Sequence, residues 1–275
     1  MKTPPPVDEH VRRTRVAAVT VERDPRFLVF ASLVLVALAL GFKSELVSPG
    51  RVWFLAAGLL AVAAPALFGY LRAESGASLP AVEYYVPAVL GALAVAGLSL
   101  IIPEWWRYGL AVLVFGTCFM VSSRLDFIRL ADQAKRGHHF MQESILAVAM
   151  VGGFVAVLSS PFNLALKLAW IGIISVLAAF RSFRVSGDPI PPRRAFLFAL
   201  IVAQVVTFFA WAIFFYLQGV AEGVFAGMLL LAWYINRGVI RHTAEESLNR
   251  HVVMEYGLFA VLLAFLFFSS YRPGG

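Results

Sequence analysis

The sequence predicts an all-α, polytopic transmembrane helical bundle of about nine spans, and three observations carry that prediction. First, 60% of the 275 residues are hydrophobic and only 14% are charged, where a soluble domain holds about 25% charged residues. Second, the apolar residues fall in blocks of roughly 16–22 residues separated by short polar breaks, and about 18 consecutive apolar residues span a hydrocarbon core of about 30 Å. Third, the 23 Lys and Arg residues crowd into alternate segments between those blocks. A soluble globular enzyme, a disordered chain and a disulfide scaffold are thereby excluded. The single cysteine, Cys118, lies inside an apolar block, so no disulfide framework exists.

Taken in order, residues 1–24 form a polar tail containing Pro4-Pro5-Pro6, Asp8, Glu9 and Glu22. No small-residue cleavage site closes the first apolar block, so the start is not expected to be a cleavable signal peptide. Asp24 as N-cap and Pro25 at the first helical position open a first transmembrane helix within 25–47, whose apolar part is Phe27–Phe42. Eight further spans follow: Val52–Leu71, Tyr84–Ile102, Tyr108–Val121, Ser144–Leu158, Leu164–Phe180, Ala195–Leu217, Val220–Ile235 and Val252–Ser270. Breaks fall at Ser48-Pro49-Gly50, Gly76–Pro80, Pro103, Gly137, Ser160-Pro161 and Gly187–Pro192, which are turn chemistry. Near the span ends, Trp53, Trp105, Trp106, Trp211 and Tyr216 form one expected interfacial belt. Tyr70, Tyr84, Trp233 and Tyr234 form the other.

With the N-terminus inside, the inner segments hold 18 Lys and Arg residues and the outer segments 4, with Lys167 left inside the sixth span. Basic residues stay on the cytosolic side, so the N-terminus is expected in the cytosol and the C-terminus outside. The net charge of +7 is then a topology signal, and no nucleic-acid partner is needed to explain it. Nineteen of the 23 basic residues are Arg, a usage that points to a bacterial protein and hence to the cytoplasmic (inner) membrane.

A shift of 112 residues pairs Ser48-Pro49 with Ser160-Pro161, Arg72 with Arg184, Pro80 with Pro192, Ile128-Arg129 with Ile240-Arg241, His139 with His251 and Glu143 with Glu255. The span boundaries coincide without a gap. This predicts two tandem four-helix units, 48–159 and 160–275, preceded by one extra helix and related by an axis along the membrane normal.

The repeat also defines the candidate site. Arg129, His139 and Glu143 recur as Arg241, His251 and Glu255, with identical spacings of ten and four. His and Glu at i,i+4 share a helix face. If the units face one another, two imidazoles and two carboxylates converge, a donor set suited to Zn, Fe or Mn; His139 and His251 could equally serve as axial ligands to haem. The paired arginines could instead hold an anionic lipid headgroup at the cytosolic face. A purely structural account competes with both: acids are stabilised at helix N-termini and cations at C-termini. Glu255 is expected three turns inside its helix, because Thr243 and Glu246 read as a capping box and Glu246 with Arg250 as an i,i+4 pair. It is therefore expected to face the repeat axis and to meet His251, His139, Arg129 or a cation. On the outer side, Lys167 and Glu222 lie at one depth and could form an ion pair, unless each simply serves its own helix end. The basic stretches 122–143 and 236–251 contain amphipathic turns, with Leu125, Ile128 and Ala131 on one face, as in a segment lying on an anionic leaflet.

No ionisable residue falls at the predicted middle of any span, which argues against a proton-coupled pump and a charged-filter channel. Glu245-Glu246 with Arg250 fits the E-E-x-x-x-R signature of the membrane-embedded CAAX-protease-like family. That family also needs F-x-x-x-H, and no Phe lies four residues before any of the five His, so the match carries no activity. The expectation is an integral membrane protein without enzymatic activity, either a carrier of a small amphiphile or lipid or a subunit of a membrane assembly. The alternatives are a headgroup-directed enzyme using the His/Glu pairs and a metal- or haem-binding protein.

Overall fold

The computed structural model describes residues 26–45, 52–75, 81–130, 136–185, 190–217, 220–247 and 249–270. These residues form nine α-helices, one short 3₁₀ turn and no strand. The helices are α1 (Arg26–Glu45), α2 (Val52–Ser75), α3 (Val86–Ile101), α4 (Trp105–Leu130) and α5 (Arg136–Leu158), then α6 (Leu164–Val185), α7 (Pro192–Tyr216), α8 (Glu222–Ala244) and α9 (Arg250–Ser270). Eight of them, α2 to α9, are long and apolar enough to cross a membrane, whereas the apolar stretch of α1 is shorter, Arg26–Gly41. The expected caps at Asp24 and Pro25 lie outside the described residues.

Local chemistry sets the helix starts. Pro87 sits in the first turn of α3, and Pro192, after the extended Pro191, opens α7; a ring-locked φ suits a position whose N–H has no helical acceptor. Asn163 Oδ1 accepts the Leu166 N–H at 2.9 Å and so caps α6, and Asn249 Oδ1 accepts the Val252 N–H at 3.0 Å and caps α9. The capping box expected at Thr243 does not form. The Thr243 hydroxyl donates to the Val239 carbonyl inside α8, and the chain breaks at Glu246, whose φ is 51°. With α9 starting at Arg250, Glu255 lies in its second turn.

The helices pack into two clusters. Leu28, Leu35 and Ala39 of α1 share a core with Leu55 and Leu59 of α2, Ala92 and Val95 of α3, and Tyr108, Val112 and Phe115 of α4. A second core joins α5, α6, α7 and α8 through Met150, Phe154, Ile171, Ile174, Val202, Val206, Phe225 and Trp233. Within the first group α1 packs on α2 and α4, and within the second α5 packs on α6 and α8. The groups join chiefly along α3 and α5, where a Cβ built on Gly97 would overlap that of Ala156. An apolar cavity of about 310 Å³ lies between α3, α4 and α5, against Gly91, Ala149, Gly152 and Cys118. Helix α9 packs on α8, and only 6% of its apolar window is buried. Trp233, expected at an interface, is instead a core residue whose indole N–H donates to the Ser175 carbonyl at 3.3 Å.

Candidate functional site

Ionisable side chains gather at one end of the bundle, where α2, α4, α6 and α8 finish and α3, α5, α7 and α9 begin. The sequence expectation of a surface-lying stretch after Val121 does not hold for the described part. Helix α4 continues to Leu130, and Leu125 and Asp126 turn into the protein. Asp126 is 1% exposed and Arg181 of α6 is 2% exposed. Arg181 Nη2 donates to both Asp126 carboxylate oxygens, at 2.8 and 3.1 Å, and Gln142 Nε2 of α5 donates to Oδ1 at 2.8 Å. The other Arg181 nitrogen, Nη1, donates to the Glu83 carbonyl at 2.7 Å. The Glu83 carboxylate, in the 3₁₀ turn ahead of α3, accepts from Arg184 Nε at 3.1 Å and lies 3.0 Å from its Nη2. Charges this deep survive only when paired and hydrogen-bonded.

A second arm begins at Glu143 in the N-terminal part of α5. Its Oε1 accepts from Ser182 Oγ at 2.7 Å and from Arg237 Nη2 of α8 at 2.6 Å. Arg237 also rests its guanidinium over the Trp233 ring, 5.8 Å from the centroid. One turn later Arg241 Nε meets Glu245 at 2.8 Å. His139, Glu143, Arg237, Arg241 and Tyr234 form the polar part of a groove of about 530 Å³ between α5, α8 and α9. Its apolar wall includes Phe140, Ala147, Leu230, Trp233 and Phe259. The groove therefore has a polar, arginine-bearing mouth above a hydrocarbon-like trough, which can hold a molecule with a polar head and an apolar body.

Of the six residues singled out at this end, the structure brings three together: His139, Glu143 and Arg241. Arg129 lies near the other arm, its Nη2 3.5 Å from the Arg184 carbonyl. Glu255 is exposed and accepts the Tyr234 hydroxyl at 3.0 Å, so its partner is a phenol that the repeat did not nominate. His251 is exposed on the first turn of α9. Among the described residues no group of three or more His, Cys, Asp or Glu is placed to hold a metal ion. The four candidate ligands His139, Glu143, His251 and Glu255 thus do not converge, because α9 lies at the edge of the bundle. At the opposite end Lys167 and Glu222 form no ion pair among the described residues. Lys167 donates to the Leu158 carbonyl at the end of α5, and Glu222 stands in the first turn of α8, so each serves a helix terminus.

The residues that sequence reasoning missed are Arg237, which holds Glu143 in the groove, and the pair Asp126 and Arg181. A signal was present: an acid in the last turns of a helix opposes the macrodipole and needs a compensating cation. The sequence matches no family model and no curated protein, and the fold matches no solved structure.

Proposed function

We propose that this chain is a multi-pass protein of a bacterial cytoplasmic membrane that holds an amphiphile in the groove between α5, α8 and α9. It acts without catalysing a reaction, as a lipid or amphiphile carrier or as the lipid-holding subunit of a membrane assembly. One observation carries this reading: Arg237, Arg241 and His139 stand at the mouth of a trough whose walls are Leu230, Trp233 and Phe259. Cations at the interface hold an anionic head, and the apolar walls replace the bilayer around its tail. The test is retention of lipid during purification in a maltoside detergent. Ala147→Trp, which fills the trough and leaves the charges in place, should lower the retained lipid several-fold by mass spectrometry. Unchanged retention would remove the groove from the account.

The polar end is proposed to face the cytosol. The support is the 18-to-4 distribution of basic residues between alternate segments. A periplasm-active reporter fused after Gly275 should then be active, and a cytosol-only fluorescent reporter dark. The 112-residue register is proposed to be a true repeat. It is supported by the contacts of α2 with α3 and α4, which recur as those of α6 with α7 and α8. Superposing the Cα traces of α2–α5 and α6–α9, with α1 outside the pair, tests it, and a different helix order or handedness would reject it.

A further inference from the structure

Four arginines of the polar end have a carboxylate partner: Arg181 has Asp126, Arg184 has Glu83, Arg237 has Glu143 and Arg241 has Glu245. Arg129 differs from them. Among the described residues its Nη1 is buried without a hydrogen-bond partner, and Nη2 reaches the Arg184 carbonyl at 3.5 Å. Across the connection from α4 to α5, His139 Nδ1 is likewise buried without a partner. His139 lies within electrostatic reach of both Arg129 and Arg241. Buried polar nitrogens without a partner are rare in proteins, and each one calls for an explanation. A missing acceptor of negative charge explains both at once.

We infer that Arg129, His139 and Arg241 form a subsite for a phosphate group, presented either by a phospholipid headgroup or by a free phosphate. The chemistry favours a tetrahedral anion over a carboxylate. A planar carboxylate is satisfied by one arginine fork, whereas these groups come from three separate helices, α4, α5 and α8. The one acid in the groove mouth, Glu143, is already occupied by Arg237 and Ser182, so it does not take the place of the anion. His139 stands in the first turn of α5, where the helix dipole adds to the attraction. The inference rests on the amphiphile reading of the groove only for the source of the phosphate.

The experiment is thermal unfolding of the purified protein in maltoside micelles, at fixed ionic strength, with three additions: phosphatidylglycerol, diacylglycerol of the same chains, and inorganic phosphate. The expected result is a rise in the unfolding midpoint with phosphatidylglycerol that exceeds the rise with diacylglycerol. Arg129→Gln and His139→Gln should each weaken that response about tenfold or more, the loss expected for one hydrogen bond to a charged group, and leave the diacylglycerol response intact. The exposed Arg193→Gln should respond like the unsubstituted protein. A merely structural role for Arg129 would lower the midpoint without any addition, whereas removing a cation whose buried Nη1 has no acceptor leaves that midpoint level or raises it. If inorganic phosphate alone shifts the midpoint and neither lipid does, the subsite stands and the amphiphile reading falls. If both lipids act equally, and in Arg129→Gln as well, the groove stands and the phosphate subsite is overturned. No response to any addition overturns both.

Discussion

Asp126 shows how one side chain can hold several helices. Its carboxylate takes Arg181 from α6 and Gln142 from α5, while Arg181 also reaches the Glu83 carbonyl ahead of α3. Asp126→Asn keeps the shape and removes the charge, leaving Arg181 buried and uncompensated. The expected cost is about 3–5 kcal/mol, read from reversible unfolding in mixed micelles, because breaking a buried pair strands the other ion. Replacing both partners by apolar residues, Asp126→Leu with Arg181→Met, should recover most of that loss, since a buried pair contributes little beyond its own desolvation. Glu255 gives the opposite case. Exposed, and bonded to Tyr234, it should tolerate Glu255→Gln with a loss below about 1 kcal/mol, the same as for Glu245→Gln. A much larger loss at Glu255 would restore the inward-facing role that its repeat position suggested.

At the scale of helices, the sequence was legible wherever hydrophobic periodicity alone decides. Among the described residues the nine apolar blocks became nine helices, the breaks at Pro103 and Ser160-Pro161 fall between helices, and Pro192, at the end of the Gly187–Pro192 break, opens α7, whereas Gly137 lies inside α5. What stayed hidden was where each helix stops once its apolar block ends. Helix α4 runs on to Leu130 because Asp126 finds Arg181, and α9 starts late because Asn249, not Thr243, supplies the capping oxygen. Both outcomes depend on a tertiary or local acceptor that hydropathy does not register. The lateral order of helices was equally hidden, and so the convergence of His139 with His251 was misjudged. Close approach was also unreadable: Gly97 looks like any small residue in an apolar run, yet it is where α3 meets Ala156 of α5. Gly97→Leu should force these helices apart and cost several kcal/mol, the overpacking penalty compounded by backbone displacement. Gly58, which has open space around it, should accept Leu with little change in the same unfolding assay.

For the whole molecule, the described ion pairs and hydrogen bonds that join the first four helices to the next four lie at the polar end: Arg181 with Asp126 and with the Glu83 carbonyl, Arg184 with Glu83, Gln142 with Asp126, and Arg129 with the Arg184 carbonyl. Along the rest of the seam the groups meet through glycine, alanine and aliphatic contacts of α3 and α5. Polar contacts are directional and resist sliding, whereas apolar packing is non-directional. The small residues at the seam give a close but featureless surface. The groove lies beside this network, and its own Glu143 is held by Ser182 and Arg237, the kind of support a recognition site requires. The 310 Å³ cavity lies within the apolar part of the same seam.

Mechanically, the seam is riveted by directional polar contacts at one end and held toward the other by close apolar packing alone, such as Gly97 on Ala156. Thermal bending of such a body concentrates at the unriveted tips, and the lateral pressure of surrounding acyl chains decides how far they part. A nitroxide pair at Leu110 and Val151, on the free arms of α4 and α5, should give a broader distance distribution than a pair at Arg124 and Phe140 beside the rivet. Asp126→Asn should broaden the second pair toward the first. Equal widths in the unsubstituted protein would mean that the arms move as one block, and that the ionic clamp merely decorates a seam already rigid along its length.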